Sequence, residues 1–161
     1  MNSRLIKVAF TCAVALYIVF VCFNNISDYR SNFGFVSMVA KMDDTFSKAR
    51  NGWRSIHNPV LHHFLFLLII AWEVLIAILL ITGASKMIRG FRSPAIEFKN
   101  AKKYAEVGLS LGVLLWFIVF IAIGGELFLM WQSKQWNAQG TAFFLTACFL
   151  LFLIYMNQED A

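Results

Sequence analysis

Three side chains with the chemistry to bind a metal ion or exchange a proton stand inside long apolar stretches of this sequence. His62 and His63 lie near the start of one stretch, and Glu126 lies near the end of another. Imidazole nitrogens and carboxylate oxygens are common metal ligands. An ionisable residue within a membrane span costs several kcal/mol unless it is partnered, so such residues mark candidate sites. We therefore treat His62, His63 and Glu126 as a candidate ligand or metal site.

Three interpretations of this cluster stay open. The first is a hydrogen-bonded His–Glu pair that keeps the helices in order. The second is a metal ion bound by one or both histidines and Glu126, although neighbouring histidines project about 100° apart on a helix. The third is a quinone or haem pocket, and a haem would lack a histidine ligand from a second span. The sequence specifies no cofactor beyond these alternatives. In each, we expect Glu126 within hydrogen-bonding reach of His62 or His63, directly or through one water or ion.

Helical periodicity turns Glu126 towards the interior of the protein. At about 3.6 residues per turn it shares a face with Gly108 and Gly112, a GxxxG spacing that lets two helices approach closely. Glu126 lies about 7 Å below Trp131, and His62 lies about 4 Å from the start of its own span, at about 1.5 Å per residue. We predict that these side chains share one layer and that Gly108 and Gly112 pack against another helix.

Glu73 and Trp116 are the other polar side chains that we expect to be buried. Glu73 lies about 20 Å from the outer end of its span, level with Trp116 of the next long span. Because burial disfavours the charged form of a carboxylate, we expect a neutral Glu73 that hydrogen-bonds across helices. A place in a proton relay is the alternative, but no second acidic residue lies at this depth.

Four apolar runs carry these residues. Hydrophobic residues make up 60% of the 161 positions and charged residues 14%, which excludes an ordinary water-soluble domain. The runs predict spanning helices, because only helices and closed barrels satisfy the backbone in lipid. The predicted fold is all-α, a polytopic membrane protein with a four-transmembrane-helix bundle and a helical outer loop, forming one domain over residues 1–161. The predicted spans cover residues 5–23, 60–83, 107–131 and 139–156.

Two long connections between the spans set the expected topology. Residues 24–59 form an outer loop, which we expect to hold two short helices separated by a turn at Met42–Thr45. Residues 84–106 form a basic loop with six Lys or Arg residues. We predict that the second half of this loop is an amphipathic helix that lies on anionic lipid. The positive-inside rule places this loop and both termini in the cytoplasm. We therefore expect the net charge of +5 to favour contact with anionic lipid at the membrane surface, and we expect no nucleic-acid partner.

Several short segments along the sequence form a specific combination: Ser31–Phe33, Met42–Phe46, Trp53–Ile56, Pro59 with His62–His63, Ala71–Glu73, Gly108–Gly112, Leu115–Phe117, Gly124–Glu126, Met130–Ser133 and Trp136–Asn137. Through these segments the chain resembles a family of predicted small bacterial integral membrane proteins, a domain-of-unknown-function family with four transmembrane helices. The resemblance covers nearly the whole chain. One difference is Leu127, where members often have a tryptophan after Gly-Gly-Glu. The resemblance implies a multi-pass protein of the bacterial cytoplasmic (inner) membrane, and it implies no activity.

Two functions follow from these features. The small size and extensive apolar surface favour a non-catalytic accessory or structural subunit of a larger membrane complex, with lipid and other membrane subunits as partners. The sequence contains no P-loop, GxGxxG, HExxH, CxxC or GxSxG motif, so the common soluble chemistries have no support. The alternative is a metal- or quinone-binding redox protein or enzyme that uses His62, His63 and Glu126.

Overall fold

The computed structural model describes residues 3–46 and 48–160, and its regular secondary structure is helical throughout that part of the chain. Four of the helices are long and apolar enough to cross a membrane, so the all-α, four-span prediction is confirmed. The helices are α1 (Ser3–Ser27), α2 (Tyr29–Lys41), α3 (Lys48–Asn51), α4 (Pro59–Arg89), α5 (Ala95–Leu114, continued as a π-helix over Leu115–Leu127) and α6 (Gln139–Met156), with short 3-10 turns at Gly52–Arg54 and Met130–Gln132.

The start of α4 is set by local chemistry. The Asn58 side chain accepts hydrogen bonds from the backbone N–H groups of Val60 (2.9 Å) and Leu61 (3.4 Å), and Pro59 occupies the first turn, where its missing N–H costs nothing. The helix then runs for 31 residues, about 45 Å, and so extends well beyond the hydrocarbon core of a bilayer, which is about 30 Å thick.

The connection after α4 is much shorter than the predicted loop at residues 84–106. α4 continues to Arg89 and α5 begins at Ala95, which leaves only residues 90–94 outside a helix. Ala, Lys and Glu are good helix formers, so the charged residues continue both spans as helix beyond the apolar segments. The amphipathic helix expected after Pro94 is therefore the first part of the third span.

The third span ends four residues earlier than predicted and changes its geometry on the way. From Leu115 to Leu127 the backbone is π-helical. Each turn of a π-helix, with its i→i+5 hydrogen bonds, holds more residues than an α-helical turn. The helix ends at Leu127, and Leu129 then takes a left-handed conformation with φ 56°. Trp131 consequently lies in a 3-10 turn and not in the span.

The connection between α1 and α4 folds into a cover over one end of the bundle. α2 ends at Lys41, and its C-cap residue Met42 is left-handed with φ 58°; Thr45 donates its backbone N–H to the Met42 carbonyl at 3.3 Å, so the chain turns where the sequence predicts. Met42 packs with Phe128 and Leu129, which follow the third span. Ser133 donates to the Asp44 carboxylate at 2.6 Å, and this hydrogen bond holds the pKa of Asp44 below its ordinary value.

Neighbouring helices approach closely at glycine positions, where no Cβ atom keeps them apart. A Cβ atom added at Gly108 would lie 3.0 Å from Leu80 of α4, and one at Gly112 would lie 2.1 Å from the Phe149 ring of α6. Gly83 of α4 lies against the backbone of α5, because its Cβ would lie 2.5 Å from the Ala105 nitrogen. The main core surrounds these contacts and includes Ile18, Ile76, Leu80, Leu109, Leu115 and Phe149.

The opposite end of the bundle is held by a buried ion network that joins the two ends of the chain. Lys7 (0% exposed) donates to Asp160 Oδ1 at 2.6 Å, and Lys102 (3% exposed) donates to Asp160 Oδ2 at 2.7 Å. The two ammonium groups also donate to carbonyls at Met156 and Gln158. Burial acts to raise the pKa of Asp160, but hydrogen bonds from Lys102 and Lys7 outweigh it and hold the pKa below its ordinary value.

Candidate functional site

His62 is a buried histidine with both ring nitrogens engaged. It is 1% exposed, its Nδ1 lies 3.1 Å from the Ser37 hydroxyl and its Nε2 lies 2.8 Å from the Ile56 carbonyl oxygen. Because a carbonyl only accepts, Nε2 carries a proton, and the histidine joins α2, the outer loop and α4. A metal ion would have to displace one of these bonds.

His63 points to a different neighbour and lies in an aromatic stack. Its Nδ1 lies 2.8 Å from the Tyr29 hydroxyl. Its ring is parallel to that of Phe33 within 10°, with the ring centroids 4.0 Å apart. The two adjacent histidines therefore attach α4 to α2 at two points, as their different directions on a helix require.

Glu126 makes no direct hydrogen bond to His62 or His63 in the described part of the chain, and a contact through one water or ion stays a prediction. Its side chain is exposed, and the hydrogen bond that the structure gives it comes from Gln139 Nε2 to Oε1 at 3.4 Å. The physical reason is the π-helix. The buried face runs through Gly112, Trp116, Ile121 and Gly125, with spacings of four and five residues, so Glu126 is turned one position out of the interior.

The metal interpretation requires one or both histidines and Glu126 to face the same ion. In residues 3–46 and 48–160, no group of three or more His, Cys, Asp or Glu side chains is arranged to hold a metal ion. His62 and His63 have separate hydrogen-bond partners, and Glu126 pairs with the start of α6.

Glu126→Leu should therefore change stability little. We expect the free energy of unfolding to shift by no more than about 0.5 kcal/mol, as for other exposed positions. His62→Leu is the matched comparison, and it should cost about 1–3 kcal/mol because it leaves the buried Ser37 hydroxyl and the partly buried Ile56 carbonyl without their partner. Thermal unfolding of both variants in the same detergent measures the difference. If Glu126→Leu lowered the free energy of unfolding as much as His62→Leu does, the result would support a His–Glu pair.

Glu73 is the buried carboxyl group in the middle of the protein. It is 1% exposed, and its Oε2 accepts a hydrogen bond from Asn25 Nδ2 of α1 at 2.7 Å. It lies about 21 Å from the start of α4 and about 24 Å from the end, so it is near the midpoint of the helix. Among the described residues, Oε1 has no hydrogen-bond partner of its own.

A cavity of about 160 Å³ lies beside Glu73, where α1, α2, α4 and the π-helix meet. Apolar and aromatic side chains form most of its wall, and a few polar groups converge on it, as is typical of small-molecule sites. Several wall residues are only partly buried, so the cavity is not sealed. Its lining is Val21, Asn25, Asn32, Phe35, Val36, Phe66, Ile69, Glu73, Trp116 and Phe120.

Trp116 also lines this cavity, and its indole carries a buried donor that is unsatisfied among the described residues. The residue is 7% exposed, and its indole Nε1–H has no hydrogen-bond partner in the described part of the chain. Leaving a buried donor unpaired costs about 1–3 kcal/mol, so unpaired donors in native structures call for an explanation. Trp116 also lies on the π-helical segment, and π-helical geometry is frequent at functional sites. The cavity, and not the His–Glu end, is the candidate functional site.

The comparison with known families agrees with this helical membrane fold. Residues 3–159 match the family described as predicted small integral membrane protein, DUF2165. The chain belongs to this family. No match was found among curated proteins or among solved structures. As a DUF2165 protein with four candidate spans, it is a multi-pass integral membrane protein in contact with lipid.

In this DUF2165 protein, sequence reasoning selected Glu73 and Trp116 but missed the residues that complete their surroundings. Asn25 lies at the end of the first apolar run, and Asn32 lies in the outer loop. The sequence offers one signal for Asn25, since a polar residue at the end of one span is a natural hydrogen-bond partner for a carboxyl group inside another. Asn32 had none, because its position depends on how α2 folds back against α1 and α4.

Proposed function

We propose that this protein is a non-catalytic binding protein of the membrane that holds a small molecule in the Glu73 cavity. One observation carries the proposal: a carboxyl group that is 1% exposed lies beside a cavity of about 160 Å³, and its Oε1 has no hydrogen-bond partner among the described residues. Removing polar groups from water is costly unless they are hydrogen-bonded. A bound molecule that hydrogen-bonds this carboxyl oxygen offsets the cost.

The test is retention of a bound molecule after reconstitution. The wild-type protein, extracted with mild detergent and placed in nanodiscs, should carry one small molecule per chain in native mass spectrometry. Glu73→Leu should lose it because the cavity loses its main polar group. Glu126→Leu is the control, since it removes a carboxylate from the third span without touching the cavity. A wild-type protein with no bound molecule, or equal retention in both variants, would contradict the proposal.

We further propose that the protein works as an accessory subunit of a larger membrane complex in the bacterial inner membrane. The observation that favours this role is the low burial of α6, with 17% of its most apolar segment buried inside the chain. Large apolar side chains on this helix face outwards, among them Phe143, Phe144, Leu151 and Ile154. Gentle extraction at native expression followed by mass spectrometry should recover a fixed set of other membrane proteins. Recovery of the protein alone would count against this role.

The proposed topology has both termini and the connection at residues 90–94 in the cytoplasm. Its support is the basic charge around that connection, together with the contact of Lys7 with Asp160 at one end of the bundle. In a variant without its native cysteines, Arg92→Cys should resist a membrane-impermeant thiol reagent added to spheroplasts, and Lys134→Cys should react. Both positions are exposed cations, so they form a matched pair. The reverse labelling pattern would invert the topology.

A further inference from the structure

We infer that the Glu73 cavity binds an organic ammonium ion, a primary amine in its charged form that carries a small apolar or aromatic body. This inference rests on the proposed binding function and names its ligand class. The ammonium group pairs with the Glu73 carboxylate, and the body of the ligand lies against the aromatic wall. His62 and His63 take no part, because neither of them lines the cavity.

The polar capacity that remains in the cavity wall belongs mainly to oxygen atoms. Glu73 Oε2 accepts from Asn25 Nδ2 at 2.7 Å, and Oε1 has no partner among the described residues. Asn32 directs its amide nitrogen to the carbonyl oxygens of Asn24 (3.2 Å) and Asp28 (3.0 Å). Both asparagines of the wall thus already use their amide nitrogens within the protein. A ligand must therefore bring donors, and a primary ammonium group brings three N–H bonds.

Charge separates an ammonium ion from a neutral donor such as an alcohol. Glu73 is the one ionisable side chain among the ten residues that line the cavity, and these ten include no Lys, Arg or His. It is 1% exposed and lies near the midpoint of α4. An ionised carboxylate in such surroundings is costly unless a positive charge pairs with it. Hydrogen bonds between ionised groups are also roughly twice as strong as neutral ones, so the cation is the tighter ligand.

The size and the wall of the cavity favour an organic cation over a bare metal ion. A cavity of about 150 Å³ in another protein accommodates benzene, and this one measures about 160 Å³. Phe35, Phe66, Trp116 and Phe120 contribute to its wall, and aromatic faces attract cations that lie within about 6 Å of the ring centroid. A calcium or magnesium ion requires about six oxygen ligands, which is more than one carboxyl group and two amides supply.

The experiment is equilibrium dialysis of the full-length protein in nanodiscs of a zwitterionic phospholipid against benzylammonium, with protein-free nanodiscs subtracted for partition into lipid. The wild type should bind one benzylammonium per chain. Binding should be at least tenfold tighter than that of benzyl alcohol, which has the same body and a donor but no charge. An equal concentration of sodium chloride should not displace benzylammonium, and benzoate should not bind.

Glu73→Gln separates the charge of the side chain from its hydrogen bonding, because glutamine keeps an acceptor oxygen and nearly the same shape. It should weaken benzylammonium binding tenfold or more and leave benzyl alcohol binding within about threefold. Glu126→Gln is the matched control, since it neutralises an exposed carboxylate that does not line the cavity, and it should leave both ligands unaffected. Thermal unfolding of each variant checks that it is folded.

The outcomes separate the inference from the proposed function. Equal affinity of the wild type for benzylammonium and benzyl alcohol, displacement by sodium, or equal benzylammonium binding by the Glu73→Gln and Glu126→Gln variants would overturn the ammonium inference. Retention of a neutral molecule that is lost in Glu73→Leu and kept in Glu73→Gln would overturn the ammonium inference and support the binding function. Failure to retain any molecule, together with no benzylammonium binding, would overturn both.

Discussion

Replacing Asp160 with alanine should strongly destabilise the end of the bundle where the two chain termini meet. The carboxylate accepts from Lys7 and Lys102, and both lysines are buried. Removing one partner of a buried ion pair typically costs about 3–5 kcal/mol. We expect the lower end of that range, because both ammonium groups keep carbonyl acceptors at Met156 and Gln158. Thermal unfolding in detergent measures the loss.

Two comparisons make the Asp160 prediction specific. Glu159→Ala removes an exposed carboxylate one residue away and should change stability by less than about 0.5 kcal/mol. Because the pKa of Asp160 is lowered in the folded protein, its contribution is present above the ordinary aspartate pKa of about 3.9 and is lost as the pH falls through the lower, folded value. The difference between wild type and Asp160→Asn should therefore be constant from pH 7 to 5 and shrink below about pH 4. A difference that shrinks at alkaline pH instead would contradict this assignment.

Replacing Gly83 with alanine should force α4 and α5 apart. The added Cβ would lie 2.5 Å from the backbone nitrogen of Ala105 and 2.8 Å from its Cβ. Neither atom is the end of a flexible side chain, so one helix has to move. Overpacking of this kind costs about 1–3 kcal/mol, which exceeds the gain of about 1 kcal/mol that alanine brings over glycine inside a helix.

The control for Gly83 is Gly34 in α2. A Cβ atom at Gly34 would have no neighbour within 4 Å, so Gly34→Ala should leave stability unchanged or raise it by up to about 1 kcal/mol. Unfolding of both variants in one detergent tests the pair. Equal effects at the two positions would show that helix propensity, and not contact between α4 and α5, decides the outcome. Gly112→Ala should fall between them, since the Phe149 side chain has more freedom to adjust than a backbone does.

The contrast between Glu73 and Glu126 shows how far a single sequence leads at a candidate site. Glu73 lies in a regular α-helix, where a constant rise per residue gives its depth, and it lines the cavity together with Trp116. Glu126 lies in a π-helix, where an assumed 3.6 residues per turn gives the wrong direction for the side chain. The residue types of this segment do not predict that change.

The sequence by itself determined that the chain is an all-helical membrane protein with four spans, and it located the turn at Met42–Thr45. These features depend on local composition and on the need to satisfy the backbone in lipid, which every segment meets independently. Only the tertiary structure decided which polar groups meet: His62 with Ser37, Glu73 with Asn25, and Asp160 with Lys7 and Lys102. Each of those contacts joins different helices or chain ends, so its distance depends on helix phase and packing that no single segment of the sequence carries.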